Sequence, residues 1–366
     1  MELLLDQEAR LLARAGHEVV VLASDAGDGP RPTLPPRVRV CQVPAWNWPE
    51  RRLQVPWPVF SPALLPAVTR HVRWCDVVHA HGLLYTGTVL SLLLARALGK
   101  PALLTEHIGL AWFPAGARRV VQWAATESVG RLSARLAGRC YGQHDRVVAL
   151  LRWQCGPGGR VKYQRNPLDR VLFRPPRPGE REAARRELGW EPGRPKVLFV
   201  GRLIARKGMD LLLGARGPGY DLAFCGPGDA GPLRPHLGAG VEYLPPRPRE
   251  ELVRLYHAAD VLALLSRSEG GLPLVAQEAL ACGLPVALAA DPGLAAYGGC
   301  PGLAFCASPG DLPRVLHTLV VRGRLEPGPA GESGLDAFLP SASEWLAELY
   351  GDRTPGASSG AGSPLG

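Results

Sequence analysis

A segment near the carboxyl end of the chain combines residue types that can bind an anion through backbone amides. The segment Ser266–Val286, SRSEGGLPLVAQEALACGLPV, follows the apolar run Asp260–Leu265, which predicts a buried parallel strand. A helix is predicted to open at Pro273, because the first helical position needs no N–H donor. The amides of Leu274 and Val275, with the helix dipole behind them, can then receive a phosphate group.

Carboxylates flank these amides in the sequence. Glu278 follows a turn or so further along the helix, and Glu269 precedes the helix in a turn with Gly270 and Gly271. Carboxylates accept hydrogen bonds from sugar hydroxyls, so phosphate at the amides and sugar at the carboxylates favours a nucleotide-sugar site. Taken alone, the segment also fits an ordinary strand–turn–helix unit of a parallel sheet, since Gly-Gly turns and prolines at helix starts are common.

The size and hydropathy of the chain indicate a two-domain cytosolic protein. Its 366 residues exceed the usual size of one domain. No apolar run reaches the length of about 18 residues that a membrane-spanning helix needs. The start, MELLLDQEAR, carries acidic residues and lacks the basic lead and long apolar core of a signal peptide.

The positive charge reflects composition more than a nucleic-acid partner. The net charge is +9, and only four of the 42 basic residues are lysines (Lys100, Lys162, Lys196 and Lys207), which with 44 Gly and 37 Pro suggests the coding bias of a GC-rich genome. No zinc-finger, RNP-type or Lys/Arg-rich motif is present, so no nucleic acid is expected. Peripheral contact with an anionic membrane surface or with phosphorylated substrates stays open.

Cysteines and histidines do not predict a metal site. The eight cysteines form no C-x-x-C pair and are interpreted as reduced, mostly buried thiols. His79 and His81 have the spacing of a metal-binding pair, but the sequence shows no third ligand beside them.

Short apolar runs alternate with amphipathic segments along the chain, which predicts α/β architecture with parallel sheets and crossover helices. Strands are predicted at Glu18–Ala23, Val38–Val43, Asp76–Ala80, Ala102–Thr105, Arg146–Leu150, Val161–Gln164, Lys196–Val200, Asp221–Cys225, Val241–Leu244, Val261–Leu265, Val286–Ala289 and Leu303–Cys306. Helices are predicted at Leu84–Leu98, Ala117–Ala137, Gly208–Leu213, Glu250–His257, Leu274–Cys282 and Leu312–Val321. We expect two doubly wound Rossmann-like lobes, 1–175 and 176–351, facing a ligand cleft, and a disordered tail over 352–366.

Five segments in order resemble glycosyltransferase family 4, a retaining, nucleotide-sugar-dependent family with the two-lobed GT-B fold. They are RAGHEVVVLAS (14–24), DVVHAHGLLY (76–85) with KPALLTEHIG (100–109), RNPLDRVLFRP (165–175), VLFVGRLIARKGMDLLL (197–213) and the segment that contains Glu278. The family begins with a strand and a glycine-rich turn, whereas this chain begins inside the first helix, at Glu2–Arg14. We therefore expect the true start to lie upstream; the alternative is a first lobe that lacks its initial strand.

The resemblance implies roles for residues of the second lobe. Arg202 and Lys207 would clamp the donor diphosphate, and their charges could stabilise it as the leaving group. Gly226 and Gly228, in CGPGD, would flank the nucleotide, although a plain turn explains them equally well. Glu278 would bind the ribose hydroxyls.

The first glutamate of the family motif is out of register here. Family spacing counted back from Glu278 reaches Gly270, so Glu269, the expected partner of the donor sugar, stands one residue early. A Gly-Gly turn that includes Gly271 could absorb the extra residue as a bulge. Otherwise the contact with the donor sugar is lost.

In the first lobe, the resemblance implies that His107 lies beside the transferring sugar. His79 and His81 are weaker candidates for an acceptor pocket. The loop Trp46–Phe60, which includes Trp48, combines aromatic rings with two arginines that suit sugars, phosphates or a lipid interface. Packing of a proline-rich connection explains the same loop.

The predicted function is retaining transfer of a sugar from a nucleotide-diphosphate sugar to a glycan or lipid-linked acceptor. No D-x-D motif occurs, so neither a metal nor another cofactor is expected, and Arg202 and Lys207 would replace the metal. Two alternatives stay open: a GT-B nucleotide-sugar epimerase or hydrolase, and a degenerate protein that binds the donor without catalysis.

Overall fold

The chain folds into two compact units. The structure, a computed structural model, describes residues 2–25, 34–46, 58–107, 117–217, 219–266, 271–325, 335, 338–339 and 342–351. The first unit comprises Met1–Arg165 with Trp345–Gly366, and the second comprises Asn166–Glu344. The predicted division after residue 175 therefore lies inside the second unit, and the last helix belongs to the first unit from Trp345 onward. The tail predicted to be disordered lies outside the described residues.

The described part of the first unit contains three small sheets. Its strands are β1 (Val19–Ser24), β2 (Val38–Val43), β3 (Ala45–Trp46), β4 (Val59–Phe60), β5 (Val78–His81), β6 (Ala102–Glu106), β7 (Arg139–Gly142) and β8 (Val161–Tyr163). Strands β5 to β8 form a parallel sheet in chain order, β1 and β2 form a separate parallel pair, and β3 pairs antiparallel with β4.

The second unit contains one parallel sheet of six strands. They are β9 (Lys196–Val200), β10 (Asp221–Cys225), β11 (Val241–Leu244), β12 (Val261–Leu264), β13 (Val286–Ala289) and β14 (Leu303–Cys306), in the order β11-β10-β9-β12-β13-β14. The prediction of these six strands is confirmed to within one residue. Most of them are largely apolar runs, because helices cover both faces of such a sheet.

Helices connect the strands in both units. They are α1 (Glu2–Arg14), α2 (Leu64–Trp74), α3 (Thr86–Ala97), α4 (Ala117–Ala125), α5 (Arg131–Leu136), α6 (Asp145–Cys155), α7 (Glu180–Glu187), α8 (Met209–Gly214), α9 (Arg249–Ala258), α10 (Leu274–Ala281), α11 (Leu312–Arg322) and α12 (Ala342–Tyr350). A π-helical turn, Thr126–Gly130, joins α4 to α5 within the single helix that was predicted there. None of the helices in the described parts of the chain is long and apolar enough to span a bilayer.

The strand predicted at Arg146–Leu150 is wrong. These residues belong to α6, and the strand of this region is β7, seven residues earlier in the chain. The run of β-branched residues resembles a strand, but the buried positions Val147, Val148 and Leu151 recur at helical spacing. Tertiary packing of that face decides the conformation.

Candidate functional site

The loops that follow β9, β10 and β12 lie at one edge of the six-stranded sheet. β9 is hydrogen-bonded to β10 on one side and to β12 on the other, and all three run parallel. Their carboxyl ends therefore meet at the edge where open α/β sheets bind ligands.

Gly208 brings the β9 loop against the end of β12. It has φ +75°, and a Cβ at this position would lie 2.2 Å from the carbonyl oxygen of Leu265. A side chain there would clash with backbone as well as strain the main chain. The 3₁₀ turn Ala205–Lys207 immediately precedes it, so this close approach anchors the turn that carries Lys207.

Gly226 brings the β10 loop against the β9 loop in the same way. It has φ +146°, and a Cβ there would lie 2.0 Å from the carbonyl oxygen of Gly201. The amide of Leu203 donates to the carbonyl of Pro227 at 2.8 Å, and Leu203 forms a β-bridge with Gly228. The two predicted glycines, Gly226 and Gly228, therefore allow the β10 loop to pack closely against the β9 loop, which carries Arg202 and Lys207.

The two predicted cations lie on this packed loop. Arg202 is exposed and Lys207 is half-buried. Both residues follow the carboxyl end of β9 and give this edge of the sheet a positive charge. Helix α10 begins at the same edge, because it follows β12, the neighbour of β9.

Helix α10 begins at Leu274, as the predicted range Leu274–Cys282 has it, and Pro273 lies one position before the first helical residue rather than in it. Pro273 is its N-cap, with φ −57° and ψ 144°, and the helix starts at Leu274. The carbonyl of Pro273 accepts from the amides of Ala276 and Gln277 at 3.0 and 3.1 Å. Within the described residues, the amides of Leu274 and Val275 donate to no acceptor, as an anion site at a helix start requires.

The turn before α10 is described only in part. Gly271 is half-buried, two residues ahead of Pro273. Glu269 and Gly270 lie outside the described residues, so the register of Glu269 stays a prediction.

Glu278 is buried, with 2% of its surface exposed, and polar side chains of α9 contact both of its carboxylate oxygens. Its Oε1 accepts from Nε and Nη2 of Arg249 at 3.1 and 2.8 Å, and its Oε2 accepts from the hydroxyl of Tyr256 at 2.9 Å. Burial raises the pKa of Glu278, while the charge of Arg249 and the hydrogen bonds from Tyr256 and Arg249 lower it; burial prevails. Burial also raises the pKa of Tyr256 well above its ordinary value.

Sequence reasoning missed Arg249 and Tyr256 as partners of Glu278. The signal was their spacing, since residues seven apart lie on one face of a helix. That face is otherwise apolar, with Leu252 and Leu255 buried. The guanidinium of Arg249 also stacks over the ring of Phe173, 5.0 Å from its centroid.

In the first unit, the structure brings His79, His81 and His107 together. The two strands β5 and β6 are neighbours, and His107 directly follows β6. Nδ1 of His81 lies 2.9 Å from Nε2 of His107, and their rings stack at 5.2 Å between centroids. His79 and His81 are 4.2 Å apart by the same measure.

Glu8 of α1 completes this cluster, and sequence reasoning did not find it. Its Oε2 lies 3.4 Å from Nε2 of His81. Burial raises the pKa of Glu8 to about 8, and lowers that of His79 to about 3 and that of His107 to about 4. Burial and the two neighbouring imidazoles lower the pKa of His81 well below its ordinary value. Near neutral pH the three imidazoles are therefore uncharged.

The aromatic loop of the first unit is described only at its ends. Trp46 lies in β3 opposite Val59 of β4 and is 57% exposed. Trp48 lies outside the described residues. The predicted role of this loop at an acceptor or lipid surface stays a prediction.

Family models match both units. Residues 5–167 match the glycosyl transferase 4-like domain, and residues 180–297 match glycosyl transferases group 1. Over 312 residues the chain is 31% identical to a D-inositol 3-phosphate glycosyltransferase of Mycolicibacterium gilvum, which covers 77% of this chain and 68% of that protein. The chain belongs to the family 4-like glycosyltransferases. The predicted family is confirmed.

Two further comparisons show which proteins this chain is similar to. A D-inositol 3-phosphate glycosyltransferase of Nocardia farcinica is 44% identical over 151 residues, which span 34% of this chain and only 33% of that relative. Anabaena HepE, solved in complex with UDP, matches with a TM-score of 0.60 at 18% identity, over 83% of this chain and 90% of that one. At this identity the structural likeness concerns the fold, and it confirms the predicted α/β GT-B class.

Proposed function

We propose that this chain transfers a sugar, with retention of configuration, from a nucleotide-diphosphate sugar bound by its second unit to a hydroxyl acceptor. The observation that carries the proposal is the convergence of three loops at one edge of the six-stranded sheet. One loop supplies Arg202 and Lys207, a second supplies two glycines that allow close packing, and the third leads to the amides of Leu274 and Val275. HepE, with the same fold, binds UDP.

The donor diphosphate would be held by cations from one side and by amides from the other. Negative charge grows on the diphosphate as its bond to the sugar breaks, and fixed positive groups stabilise that charge most in a site closed to water. Arg202 and Lys207 would provide this stabilisation without a metal ion. EDTA should therefore leave the transfer rate unchanged.

Glu278 would meet the ribose, and its contacts limit how it does so. An ionised carboxylate has about four acceptor positions. Arg249 and Tyr256 already supply three hydrogen bonds to it. We therefore expect Glu278 to accept from one ribose hydroxyl, with Arg249 and Tyr256 fixing the orientation of the carboxylate.

The acceptor side of the proposal rests on the first unit. His107 would lie beside the reacting sugar, with His81 hydrogen-bonded to it. The curated relatives are named for D-inositol 3-phosphate, so a phosphorylated polyol joins glycans and lipid-linked sugars as an acceptor class to be tested. Peripheral contact with an anionic membrane, through Trp46 and its loop, is a separate proposal that vesicle co-sedimentation would test.

The experiment incubates the full chain with UDP-, GDP- and ADP-sugars, with and without these acceptors. Products are separated by mass spectrometry, and the anomeric configuration is read by NMR. Lys207→Ala should reduce transfer by about 100- to 1,000-fold, the usual cost of losing one group that stabilises developing charge. Lys162→Ala is the matched control, because Lys162 is exposed on β8 of the other unit and should leave the rate unchanged.

The outcomes separate the candidate functions. Transfer that depends on Lys207 supports the proposal. Nucleotide release or epimer formation without an acceptor would indicate a hydrolase or an epimerase instead. Donor binding without turnover would indicate a degenerate binding protein, and normal transfer by Lys207→Ala would remove the diphosphate clamp.

A further inference from the structure

Part of the histidine cluster of the first unit, namely Glu8, His79 and His81, has a chemistry that the proposed donor site does not explain. His79 and His81 are two residues apart on β5, so both side chains leave the same face of the strand. Glu8 reaches them from α1. One ligand atom from each of these three residues lies within 4.8 Å of the other two.

We infer that Glu8, His79 and His81 form a binding site for one Zn²⁺ ion. Two imidazole nitrogens and one carboxylate oxygen are a ligand set that zinc accepts in tetrahedral geometry, with the fourth position left for water. Zinc bonds of about 2.0–2.2 Å place neighbouring ligand atoms about 3.4 Å apart. Small side-chain rotations would bring the ligand atoms from their present separation, up to 4.8 Å, to this distance. This inference does not rest on the proposed function.

Outer contacts already orient the imidazoles. A histidine that binds a metal through one ring nitrogen usually has the other nitrogen held by a neighbour. Nδ1 of His81 lies 2.9 Å from His107, which leaves Nε2, the atom facing Glu8, for the ion. The ring nitrogens of His79 contact Thr105 Oγ1 at 2.8 Å and the hydroxyl of Tyr350 at 3.0 Å, so the ion would replace one contact and the other would remain.

The burial of Glu8 also favours a cation. The residue is 3% exposed, and its Oε2 lies 3.4 Å from Nε2 of His81. A buried carboxylate is costly unless it is paired with a cation or coordinates a metal. His81 supplies a ligand nitrogen rather than a counter-charge, whereas a divalent ion would compensate the ionised carboxylate.

The test uses the full chain after removal of metals by a chelator. Zinc is added alone, and its stoichiometry and affinity are measured by calorimetry and elemental analysis. We expect one equivalent to bind. Glu8→Gln and His81→Asn should each weaken zinc binding by more than about 100-fold, which exceeds the loss that follows removal of an outer contact. His317→Asn is the control, since His317 is exposed on α11 of the second unit.

Cobalt provides a readout that needs no variant. Co²⁺ bound by three side chains and water gives the strong visible absorption of four-coordinate cobalt, and shifts the proton NMR signals of His79 and His81. If a variant fails to fold, these spectra of the unchanged protein decide. Absence of one tight equivalent, a six-coordinate cobalt spectrum, or unchanged affinity in Glu8→Gln or His81→Asn would each overturn the assignment.

Discussion

Replacing Arg249 by methionine tests the buried contact that holds Glu278. Methionine keeps much of the length of the side chain and removes its charge. Arg249 has 14% of its side chain exposed and Glu278 has 3%, so among the described residues the variant leaves this buried carboxylate with the hydroxyl of Tyr256 as its one side-chain partner. Breaking a buried pair by removing one partner typically destabilises a protein by about 3–5 kcal/mol.

The loss should depend on pH in a direction that the burial of Glu278 sets. Burial already raises the pKa of Glu278 in the folded chain, and loss of Arg249 raises it further. When the pKa of a carboxyl group is higher in the folded than in the unfolded chain, the folded chain is most stable with that group protonated. Its free energy of unfolding then falls as pH rises through the folded-state pKa. The variant should therefore be destabilised more at pH 8 than at pH 5.5.

Hydrogen exchange of peptides from α9 and α10 measures this loss locally, because two units can unfold separately. Arg247→Met is the matched control: Arg247 pairs with Glu251 at 2.8 Å, with 37% and 45% of the side chains exposed, and should cost less than about 1 kcal/mol. Glu278→Gln should restore much of the stability of Arg249→Met. A loss below about 1 kcal/mol, or one independent of pH, would refute the reasoning.

Three further predictions concern the loops and helix ends. Gly208→Ala should destabilise the second unit by more than about 1 kcal/mol and weaken donor binding, whereas Gly214→Ala should do neither, because its added Cβ meets nothing within 4 Å. Thermal unfolding and calorimetry with UDP measure the two effects. Equal behaviour of the two variants would show that the close approach at Gly208 is unimportant. Leu274→Pro removes one amide at a position that tolerates proline, so UDP affinity should fall about 5–10-fold relative to Leu274→Ala at equal helix stability, and equal affinities would exclude that amide from the site. The hydrogen bonds from Arg174 lower the pKa of Glu180 to about 2, so the pair stabilises the fold above about pH 4.5 and this stabilisation is lost as pH falls toward 2. Urea unfolding should show that the free energy of unfolding falls by less than about 1 kcal/mol over this pH range, and that Glu180→Gln abolishes the fall. The same fall in the variant would contradict the prediction.

The sequence was sufficient for the second unit because its signals are local. The inner strands β9, β10 and β12 are short, mostly apolar runs that are buried on both faces. The same local logic failed at Arg146–Leu150, where β-branched residues lie in a helix. There the burial of one helical face outweighs the strand preference of the individual residues.

In the candidate site, the functional residues could be predicted from the sequence, whereas the contacts between them could not. The types and order of Arg202, Lys207 and Glu278 could be read from the chain, because the two cations follow a predicted strand and Glu278 lies in a predicted helix. The residues that contact Glu278 could not be read from the chain. Arg249 and Glu278 are 29 residues apart, and the contact depends on how α9 and α10 pack against the same sheet.

By itself, the sequence determined the parallel α/β class, the family and the segments that carry candidate ligands. These follow from hydrophobic period, turn residues and motif spacing, which act over a few residues. Only the tertiary structure decided that Glu8 joins histidines more than 70 positions away and that Arg249 and Tyr256 enclose Glu278. Such contacts are selected by side-chain packing and the cost of burying charge, which no short stretch of sequence encodes.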